Sequence, residues 1–577
     1  MYDRFPCVES GSADECLTGW AAIGGELSHR IGASGIIAVE CYPGVDLNEI
    51  RRGLQPSVPR ADILCTDGLL RTPQEIDAML GPILGDDPVF GQMNSIDIDD
   101  FFDSRKLAAA QERCSAMNSG VLILIGTGAS LVYPNPTLLV YADLARWEIQ
   151  MRQRRNEIAN LGADNWEDPP SLKYKRAFFV DWRSADRLKI RLYDRIDVLL
   201  DTNTPKKPKA IDGRIFRRSL GKAVKRPFRV VPFFDPGPWG GHWMERVCGV
   251  PADGAPNHAW CFDCVPEENS LLLGFGRERV EIPALDLVLA HPRELLGDGV
   301  YTRFGAEFPI RFDFLDTVGG GNLSLQVHPL TSYIRDEFGM DYTQDESYYM
   351  LDAEKGACVY LGLKEGIDPG EMLRDLHRAQ DEDFQFPADK YVNRFPARKH
   401  DHFLIPAGTV HCSGKGSMVL EISATPYIFT FKLWDWGRLG LNGSPRPIHL
   451  DHGAANIQWN RTTDWVRRSL INRVKPMRSG DGWREERTGL HELEFIETRR
   501  HWFTGTVPHD TEGTVHVLNL VEGEEAIVES PDGAFVPFHV HYAETFIVPA
   551  MVGRYTIRPC GANAYREHGT IQAHVRV

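Results

Sequence analysis

The stretch Leu323-Ser-Leu-Gln-Val-His-Pro329 is the starting point for interpreting this chain, because apolar and polar residues alternate along it. A period of two residues predicts a β-strand. Gln326 and His328 then point to the same face of that strand. An amide oxygen and an imidazole on one face are two candidate metal ligands.

Two further ligand candidates lie downstream of this strand. Glu346 stands in Asp345-Glu-Ser-Tyr-Tyr-Met-Leu351, and His411 ends Phe403-Leu-Ile-Pro-Ala-Gly-Thr-Val-His411, directly after a Pro/Gly turn. Two imidazoles, one carboxylate and one amide oxygen suit a divalent metal with nitrogen and oxygen ligands, and zinc fits this set best. A site without thiolates leaves room for water or substrate, as catalytic zinc sites do. The sequence therefore predicts one Zn²⁺ per chain, held by Gln326, His328, Glu346 and His411.

The same segments resemble a known family. Gly321-Asn-Leu-Ser-Leu-Gln-Val-His-Pro329, Glu346-Ser-Tyr-Tyr-Met-Leu-Asp-Ala-Glu354 and Ile405-Pro-Ala-Gly-Thr-Val-His411 look like segments of class I mannose-6-phosphate isomerases. Pro238-Trp-Gly-Gly-His-Trp243 resembles the entry motif of that family. Thr430-Phe-Lys-Leu-Trp-Asp-Trp-Gly-Arg438 resembles its late Tyr-Arg-x-Tyr-Asp-Trp segment.

The resemblance, which covers roughly residues 230–577, implies a fold, an activity and roles for particular residues. Members of the family have a cupin fold, depend on zinc and interconvert mannose 6-phosphate and fructose 6-phosphate. We therefore expect an aldose–ketose isomerase that acts through a metal-stabilised enediolate. By their place in the family motifs, Glu421 is expected to be the general base and Lys432 a charge stabiliser. Arg438 and Trp239 are expected to bind the substrate.

Three positions depart from the family pattern. Lys432 stands where the family usually has an arginine, so the positive charge is kept but the bidentate fork is lost. Gln344 and Asp313 stand where the family often has lysines. Either other cations, such as Arg311 or Arg438, bind the phosphate group, or the substrate is a related sugar.

Composition narrows the class of protein. A chain of 577 residues is too long for one hydrophobic core, so several domains are expected. With 64 basic and 80 acidic residues the net charge is −16, which argues against a nucleic-acid partner and leaves a small sugar phosphate as the expected one. No apolar run approaches a membrane span and no signal-peptide pattern is present, so a cytoplasmic protein without a membrane partner is expected. The oligomeric state stays open.

Residues 1–225 alternate strand and helix patterns, which predicts an α/β domain with a mainly parallel sheet. Thr72-Pro-Gln-Glu75 predicts a helix that begins with a capping box. The domain faintly resembles nucleoside-kinase-type domains, but it lacks the GxxxxGK[ST] phosphate loop. Gly126-Thr-Gly128 is the nearest candidate for phosphate binding, and a tight turn at the end of a strand is the alternative.

The sequence pattern changes after the α/β domain. The polar segment 201–225 is predicted to be a connector. Beyond it, short strands, Gly/Pro turns and aromatic residues indicate all-β structure. We therefore predict a multidomain chain in which the α/β domain is followed by two tandem cupin-type β-barrels, or jelly rolls. The first, at 226–465, is expected to bind the metal and to be catalytic; the second occupies 466–577.

An internal repeat supports two barrels. Residues 349–356 are echoed by 516–523, and residues 403–408 by 546–551. Counted across the repeat, two of the four predicted metal ligands have no counterpart in the second copy, so the second barrel is expected to be metal-free. The aligned pairs are Glu346 with Gly513 and His411 with Arg554.

Three functions remain open at this point. The first is the isomerase. The second is a metal-binding cupin that senses or binds a sugar phosphate without turnover, which the missing family lysines suggest. The third is a bifunctional enzyme with a kinase-like activity in its N-terminal domain, against which the absent phosphate-loop lysine argues.

Overall fold

The computed structural model describes residues 2–489 and 491–577, and the chain divides into two compact units. The α/β unit comprises residues 7–223 and 267–291. The β unit comprises residues 2–6, 224–266 and 292–577.

The first part of the chain alternates strands with helices. Its elements are β1 (Cys7–Gly11), β2 (Cys16–Thr18), α1 (Trp20–Ile31), β3 (Ser34–Cys41), α2 (Leu47–Leu54), β4 (Asp62–Cys65), α3 (Pro73–Leu84), α4 (Ser104–Ser115), β5 (Gly120–Gly126), α5 (Ala129–Val132), β6 (Leu138–Asp143), α6 (Arg146–Arg154), α7 (Pro170–Arg176), α8 (Trp182–Leu192), β7 (Val198–Asp201), β8 (Lys209–Asp212) and α9 (Gly213–Ala223).

These elements build a seven-stranded sheet in the order β2-β8-β7-β6-β3-β5-β4. The five strands from β7 to β4 are parallel, while β8 and β2 add antiparallel pairs at one edge. A mainly parallel sheet agrees with the long apolar runs in the sequence, because strands covered on both faces carry few polar residues.

Local sequence signals account for where two helices of this unit begin. Thr72 accepts a hydrogen bond from the Glu75 amide, the Glu75 side chain returns to the Thr72 amide, and α3 begins at Pro73. Asp46 caps α2 by accepting from the amides of Asn48 and Glu49. Because both caps rest on contacts within three residues, they are readable from sequence alone.

The predicted connector at 201–225 is wrong. This segment contains the end of β7, the whole of β8 and helix α9. Helix α9 buries Phe216 and Leu220 on one face and keeps its basic residues on the other. The many Lys and Arg residues of this segment suggest a solvated connector, although its few apolar residues form the narrow buried face of an amphipathic helix.

Residues 267–291 also differ from the predicted domain boundaries, because they belong to the α/β unit rather than to the 226–465 segment. Two strands of this segment join β1 in a three-stranded sheet, in which the first of them pairs with β1 in parallel. Such pairing over a long sequence separation leaves no local signal in the sequence. The elements are β11 (Ser270–Phe275), β12 (Glu278–Pro283) and α11 (Leu285–Ala290).

The β unit contains most of the remaining elements. They are β9 (Phe233–Asp235), α10 (Trp243–Cys248), β10 (Trp260–Cys264), α12 (Pro292–Leu296), α13 (Asp298–Phe304), β13 (Ile310–Asp316), β14 (Leu325–Val327), α14 (Thr331–Phe338), β15 (Glu346–Ala353), β16 (Cys358–Leu363), α15 (Pro369–Asp381), α16 (Ala388–Tyr391), β17 (Val392–Pro396), β18 (His402–Ile405), β19 (His411–Ser413), β20 (Ser417–Ala424), β21 (Phe431–Trp434), α17 (Leu450–Asn456), α18 (Thr463–Ser469), β22 (Lys475–Gly480), β23 (Trp483–Gly489), β24 (Ile496–Phe503), β25 (Val507–Asp510), β26 (His516–Glu522), β27 (Glu525–Glu529), β28 (Phe538–His541), β29 (Thr545–Val548), β30 (Arg554–Pro559) and β31 (His568–Val575).

These strands form two β-modules with one topology. The first β-module has a six-stranded sheet, β18-β15-β20-β13-β10-β9, and a five-stranded sheet, β17-β16-β19-β14-β21. The second β-module has a six-stranded sheet, β29-β26-β31-β24-β23-β22, and a four-stranded sheet, β28-β27-β30-β25. Counted along the chain within each module, ten strands follow the same neighbour order. The classification of the modules as cupin barrels stays a prediction.

A core of buried apolar side chains joins the two sheets of the second β-module. Phe503, Leu518 and Phe546 come from its six-stranded sheet, and Val528 and Ile557 come from its four-stranded sheet. Among the described residues no helix combines the length and the apolar character that crossing a membrane would need.

Candidate metal centre

Three strands of the first β-module bring the predicted metal ligands together. Gln326 lies on β14 and His328 directly follows it, while Glu346 and His411 are the first residues of β15 and β19. His411 pairs with Gln326 across the sheet. Donor atoms of His328, Glu346 and His411 all lie within 4.8 Å of one another, and all three residues are buried.

The two histidines face one carboxylate. His328 Nε2 lies 3.1 Å from Glu346 Oε2, and His411 Nε2 lies 2.8 Å from Glu346 Oε1. The Nδ1 atoms of the rings face backbone oxygens, at 3.3 Å from Phe429 O and 2.8 Å from Thr409 O. This second set of contacts fixes the ring orientation and the tautomer, as it does for metal-bound histidines.

Because each Nδ1–H donates to a carbonyl, each neutral ring turns the lone pair of its Nε2 toward the carboxylate. Two acceptors in close contact repel each other unless a positive charge lies between them. The donor set and its buried acceptors therefore fit a divalent cation.

Gln326 completes the predicted set. Its Nε2 atom lies 3.2 Å from His411 Nε2, so the amide is at the edge of the cluster. The two ends of a glutamine amide are assigned from hydrogen bonding. A rotation of the amide by half a turn presents Oε1 to the place where the imidazole lone pairs meet.

Gln344 connects this cluster to the predicted general base. Its Nε2 lies 3.1 Å from Glu346 Oε2 and 3.2 Å from Glu421 Oε1. Ser423 donates a second hydrogen bond to Glu421 Oε1, at 2.9 Å. The position where the family often has a lysine is therefore occupied by a neutral bridge between two carboxyl groups.

The Glu421 carboxyl lies in a buried acidic environment. Burial, followed by the nearby charges of Asp313 and Glu346, raises its pKa well above the usual value. Arg311 Nη1 lies 3.5 Å from Glu421 Oε1, while Arg311 Nη2 lies 3.0 Å from Asp313 Oδ2. Asp313, the other departure from the family lysines, thus pairs with Arg311, which is not free to bind a phosphate group.

Lys432 lies on β21 directly opposite Gln326, so the two side chains share one face of the sheet. Burial, followed by the charge of Arg446, lowers the pKa of Lys432 to about 8. Within residues 2–489 and 491–577 its ammonium forms no ion pair, which leaves it available to a ligand.

Arg438 shares Asp435 with a second arginine. Its Nη2 lies 2.7 Å from Asp435 Oδ1, and Arg446 Nε lies 2.6 Å from Asp435 Oδ2. Two guanidinium groups on one carboxylate leave a net positive charge beside Lys432. Arg446 carries no signal of its own in the sequence, because it follows the family motif by several residues and belongs to no pattern.

Trp239 is 1% exposed and packs edge-on against Trp260, with ring centroids 4.7 Å apart. Its carbonyl oxygen also accepts a hydrogen bond from the Gly321 amide. These contacts favour a structural role, and substrate binding by Trp239 stays a prediction.

Tyr348 is a further residue of the candidate site, and the alternation along its strand indicates this although the sequence motifs do not include it. It follows Glu346 by two residues on β15 and therefore points to the same face. Its Cα pairs with that of Glu421, and its hydroxyl is buried without a partner in the described part of the chain. It adds a phenol to the polar groups around the cluster.

The Gly126-Thr-Gly128 turn of the α/β unit holds a carboxylate of the chain itself. Glu40 accepts hydrogen bonds from the Gly128 amide at 2.6 Å and the Ser130 amide at 2.8 Å. Burial raises the pKa of Glu40 to about 7. Because Asp46 likewise caps α2, the two positions where amides would meet a phosphate group each carry a carboxyl group of the chain.

A family model and several known proteins resemble parts of the chain. A family model described as "Domain of unknown function (DUF8485)" matches residues 19–225. The mannose-6-phosphate isomerase of Streptococcus mutans is 27% identical over 215 residues, which cover 37% of this chain and 62% of that protein. Mannose-6-phosphate isomerase ManA of Bacillus subtilis is 29% identical over 160 residues, 28% of this chain and 46% of that protein. Part of the chain is therefore similar in sequence to mannose-6-phosphate isomerases.

The relationship is partial. The chain spans about half to two thirds of the length of these two relatives. A crystal structure of the mannose 6-phosphate isomerase from Bacillus subtilis matches 61% of this chain and all of its own, with 19% identity and a TM-score of 0.49. A zinc-bound mannose 6-phosphate isomerase structure matches with 14% identity and a TM-score of 0.46.

Proposed function

We propose that this chain interconverts mannose 6-phosphate and fructose 6-phosphate in its first β-module, which we take to be a zinc-binding cupin barrel. The observation that supports this most strongly is the buried carboxylate of Glu346 between two imidazole lone pairs. Aldose–ketose isomerisation moves a proton between adjacent carbons, and negative charge develops on the sugar oxygens. A bound Zn²⁺ would supply positive charge beside those oxygens.

The proton transfer needs a group of the protein, and Glu421 is the proposed one. A carboxyl whose pKa is raised by burial is a better acceptor of a carbon-bound proton than an exposed carboxylate. Gln344 and Ser423 hold its Oε1 atom, which orients the carboxyl toward the ligand cluster. Burial and the charges of Asp313 and Glu346 keep the pKa of Glu421 raised, although Arg311 and the Ser423 hydrogen bond lower it.

Charge stabilisation and phosphate binding are assigned to three basic residues, Lys432, Arg438 and Arg446. Lys432 shares the face of Gln326, and Arg438 and Arg446 together exceed the charge of Asp435. We propose that Lys432 meets the developing negative charge and that the two arginines attract the phosphate group.

The test is conversion of mannose 6-phosphate to fructose 6-phosphate by the full chain, before and after chelation and after return of Zn²⁺. Conversion should vanish with the metal and return with it, and Glu346→Gln should abolish both zinc content and conversion. Zinc binding and mannose 6-phosphate binding without conversion would instead support the sensing alternative.

The kinase-like alternative is tested on the same protein. Because Glu40 and Asp46 occupy the amide clusters, we propose that the α/β unit does not bind nucleotides. Calorimetry with ATP and Mg²⁺ should give no heat of binding, and micromolar affinity would restore the bifunctional interpretation. The full chain is required, since the α/β unit includes residues 267–291.

A further inference from the structure

The second β-module contains a polar cavity that the proposed isomerase does not use. It has a volume of about 250 Å³, and four histidines from four different strands line it. His501 lies on β24, His509 on β25, His516 on β26 and His574 on β31. No single stretch of the sequence contains this set.

The cavity interrupts an otherwise apolar interior. Elsewhere the same two sheets meet through side chains such as Leu520, Val528 and Phe546. Here the lining includes Gln572 and Glu485 beside the histidines. Burying this many polar groups costs free energy unless partners satisfy them.

Several of these groups have no partner in the described part of the protein. Nδ1 of His501, Nε2 of His509 and Oε1 of Gln572 form no hydrogen bond there. The three residues are only 1%, 5% and 3% exposed. Buried polar atoms of folded proteins are almost always hydrogen-bonded. His509 and Gln572 lie close enough to interact with each other, whereas Nδ1 of His501 requires a further polar partner in the cavity.

The histidine rings are held in place. His509 stacks on Tyr555 with ring centroids 4.7 Å apart, and His501 meets His509 edge-on at 4.5 Å. The hydroxyl of Tyr555 lies 2.9 Å from His516 Nδ1. Fixed polar groups around a cavity are the feature that distinguishes a binding site from a packing defect.

The electrostatics of the cavity disfavour a charged ligand. Both oxygens of Glu485 are used, one by Arg478 and the other by Arg499 at 3.2 Å. Burial lowers the pKa of all four histidines, that of His574 to about 4, so the rings are neutral at pH 7. Asp510 and Glu512 are exposed at the rim and would repel anions.

A metal ion is also disfavoured. Groups of three His, Cys, Asp or Glu donors within 4.8 Å of one another occur twice in residues 2–489 and 491–577, and this cavity is not one of them. Its histidines contact one another in pairs, and no three donor atoms of the lining meet within that distance. At about 30 Å³ per water, the volume corresponds to roughly eight waters, which is more than a bare ion needs.

We propose that the second β-module binds an uncharged, polyhydroxylated molecule of monosaccharide size in the cavity lined by its four histidines and Gln572. A neutral imidazole and an amide each offer both a donor and an acceptor, which is the pattern that hydroxyl groups match. The volume is just below the range for drug-sized ligands and suits one sugar ring. This proposal does not depend on the activity of the first module.

The experiment is saturation-transfer difference NMR on the full chain, with D-mannose, D-glucose and myo-inositol as probes. Glu346→Gln removes the first-module site from consideration. At least one probe should give a signal with wild type and with Glu346→Gln, and the signal should fall at least tenfold with His509→Leu and with Gln572→Leu. His568→Leu is the matched control, because His568 is buried in the same module outside the cavity and should leave the signal unchanged.

Melting temperatures of all variants establish folding, and Gln572→Leu serves if His509→Leu does not fold. The proposal is overturned if no probe gives a signal, or if the signal disappears with Glu346→Gln and survives His509→Leu. It is also overturned if the Glu346→Gln protein retains a zinc ion that His509→Leu removes, or if the site binds inorganic phosphate but none of the three probes.

Discussion

The first and second β-modules arrange ten strands in the same neighbour order and both bury histidines, yet they differ in what their buried carboxylate contacts. In the first module Glu346 stands between two imidazole lone pairs. In the second the buried Glu485 is neutralised by two arginines, and His501 Nε2 is 3.8 Å from it. One topology can therefore support a cation centre or a neutral polar cavity, depending on what the carboxylate contacts.

The internal repeat shows which predicted metal-ligand positions have no counterpart in the second module. Gly513 aligns with Glu346 and offers no side chain, and Arg554, which aligns with His411, is exposed and pairs with Asp532 at 2.9 Å. The histidines of the second module therefore come from other strand positions. Four predictions test this contrast.

The largest effect is expected from His411→Ala. Removal of one of three clustered donors should release the metal, while the fold persists because the lost side chain is polar and belongs to the first residue of the short strand β19. Elemental analysis should show zinc falling from one per chain to near zero, and isomerase activity should disappear with it. Arg554→Ala is the matched change in the second module and should leave zinc content unaltered. Full zinc occupancy in His411→Ala would refute the ligand assignment.

Glu421→Gln tests the proposed base. Loss of a positioned base typically lowers the rate by about 10²–10⁴, so kcat should fall by at least about a hundredfold. Metal content and Tm should stay near wild type, because the amide keeps the size of the side chain. Glu529→Gln in the second module, where Glu529 pairs with Arg558, controls for the loss of one charge. Wild-type turnover of Glu421→Gln would mean that another group, such as Tyr348, moves the proton.

Leu520→Ala in the core of the second module asks whether the two modules unfold together. Truncation of a fully buried leucine costs about 2–5 kcal/mol in the free energy of unfolding. Because both modules belong to one compact unit, urea titration should show that zinc release and tryptophan fluorescence shift to lower urea together. Leu441→Ala, at a residue 56% exposed, should shift neither transition appreciably. Zinc release at an unchanged urea concentration would show independent unfolding.

The smallest effect concerns pH. With a pKa of about 8, Lys432 loses its proton as the pH rises through that value, so kcat/KM should fall about tenfold per pH unit above it. In the unfolded chain the ordinary lysine pKa of 10.5 applies, so the unfolded state binds more protons between pH 8 and 10.5. The contribution of Lys432 to stability therefore rises with pH over the window in which activity falls.

Lys432→Arg is the control for this pH dependence. Arginine stands at this place in the family pattern and stays charged at these pH values, so the fall above pH 8 should disappear. An unchanged pH profile in Lys432→Arg would show that another group titrates.

Several features of the fold and of the candidate site follow from rules that involve only neighbouring residues. The alternation of apolar and polar residues predicts that Gln326 and His328 lie on one face of a strand. The Pro/Gly turn before His411 indicates where the third strand of the candidate metal centre begins. The capping box at Thr72 needed only neighbours within one helical turn. These features follow from short-range geometry, so the sequence alone predicts them.

Other features exist only because distant segments pair. Residues 267–291 join the α/β unit through hydrogen bonds to β1, and α9 forms where composition indicates a connector. Gln344 as a bridge to Glu421 depends on the pairing of β15 with β20.

The histidine cavity shows the same limit most clearly. Its lining comes from four strands, and each histidine by itself resembles an ordinary polar residue of a β-strand. Only the strand order and register of the second module bring them to one place, and neither is encoded in local periodicity. The sequence by itself therefore determined the ligand types, the caps and the repeat, whereas tertiary pairing decided which buried polar groups meet, because contacts between distant segments leave no periodic trace in the chain.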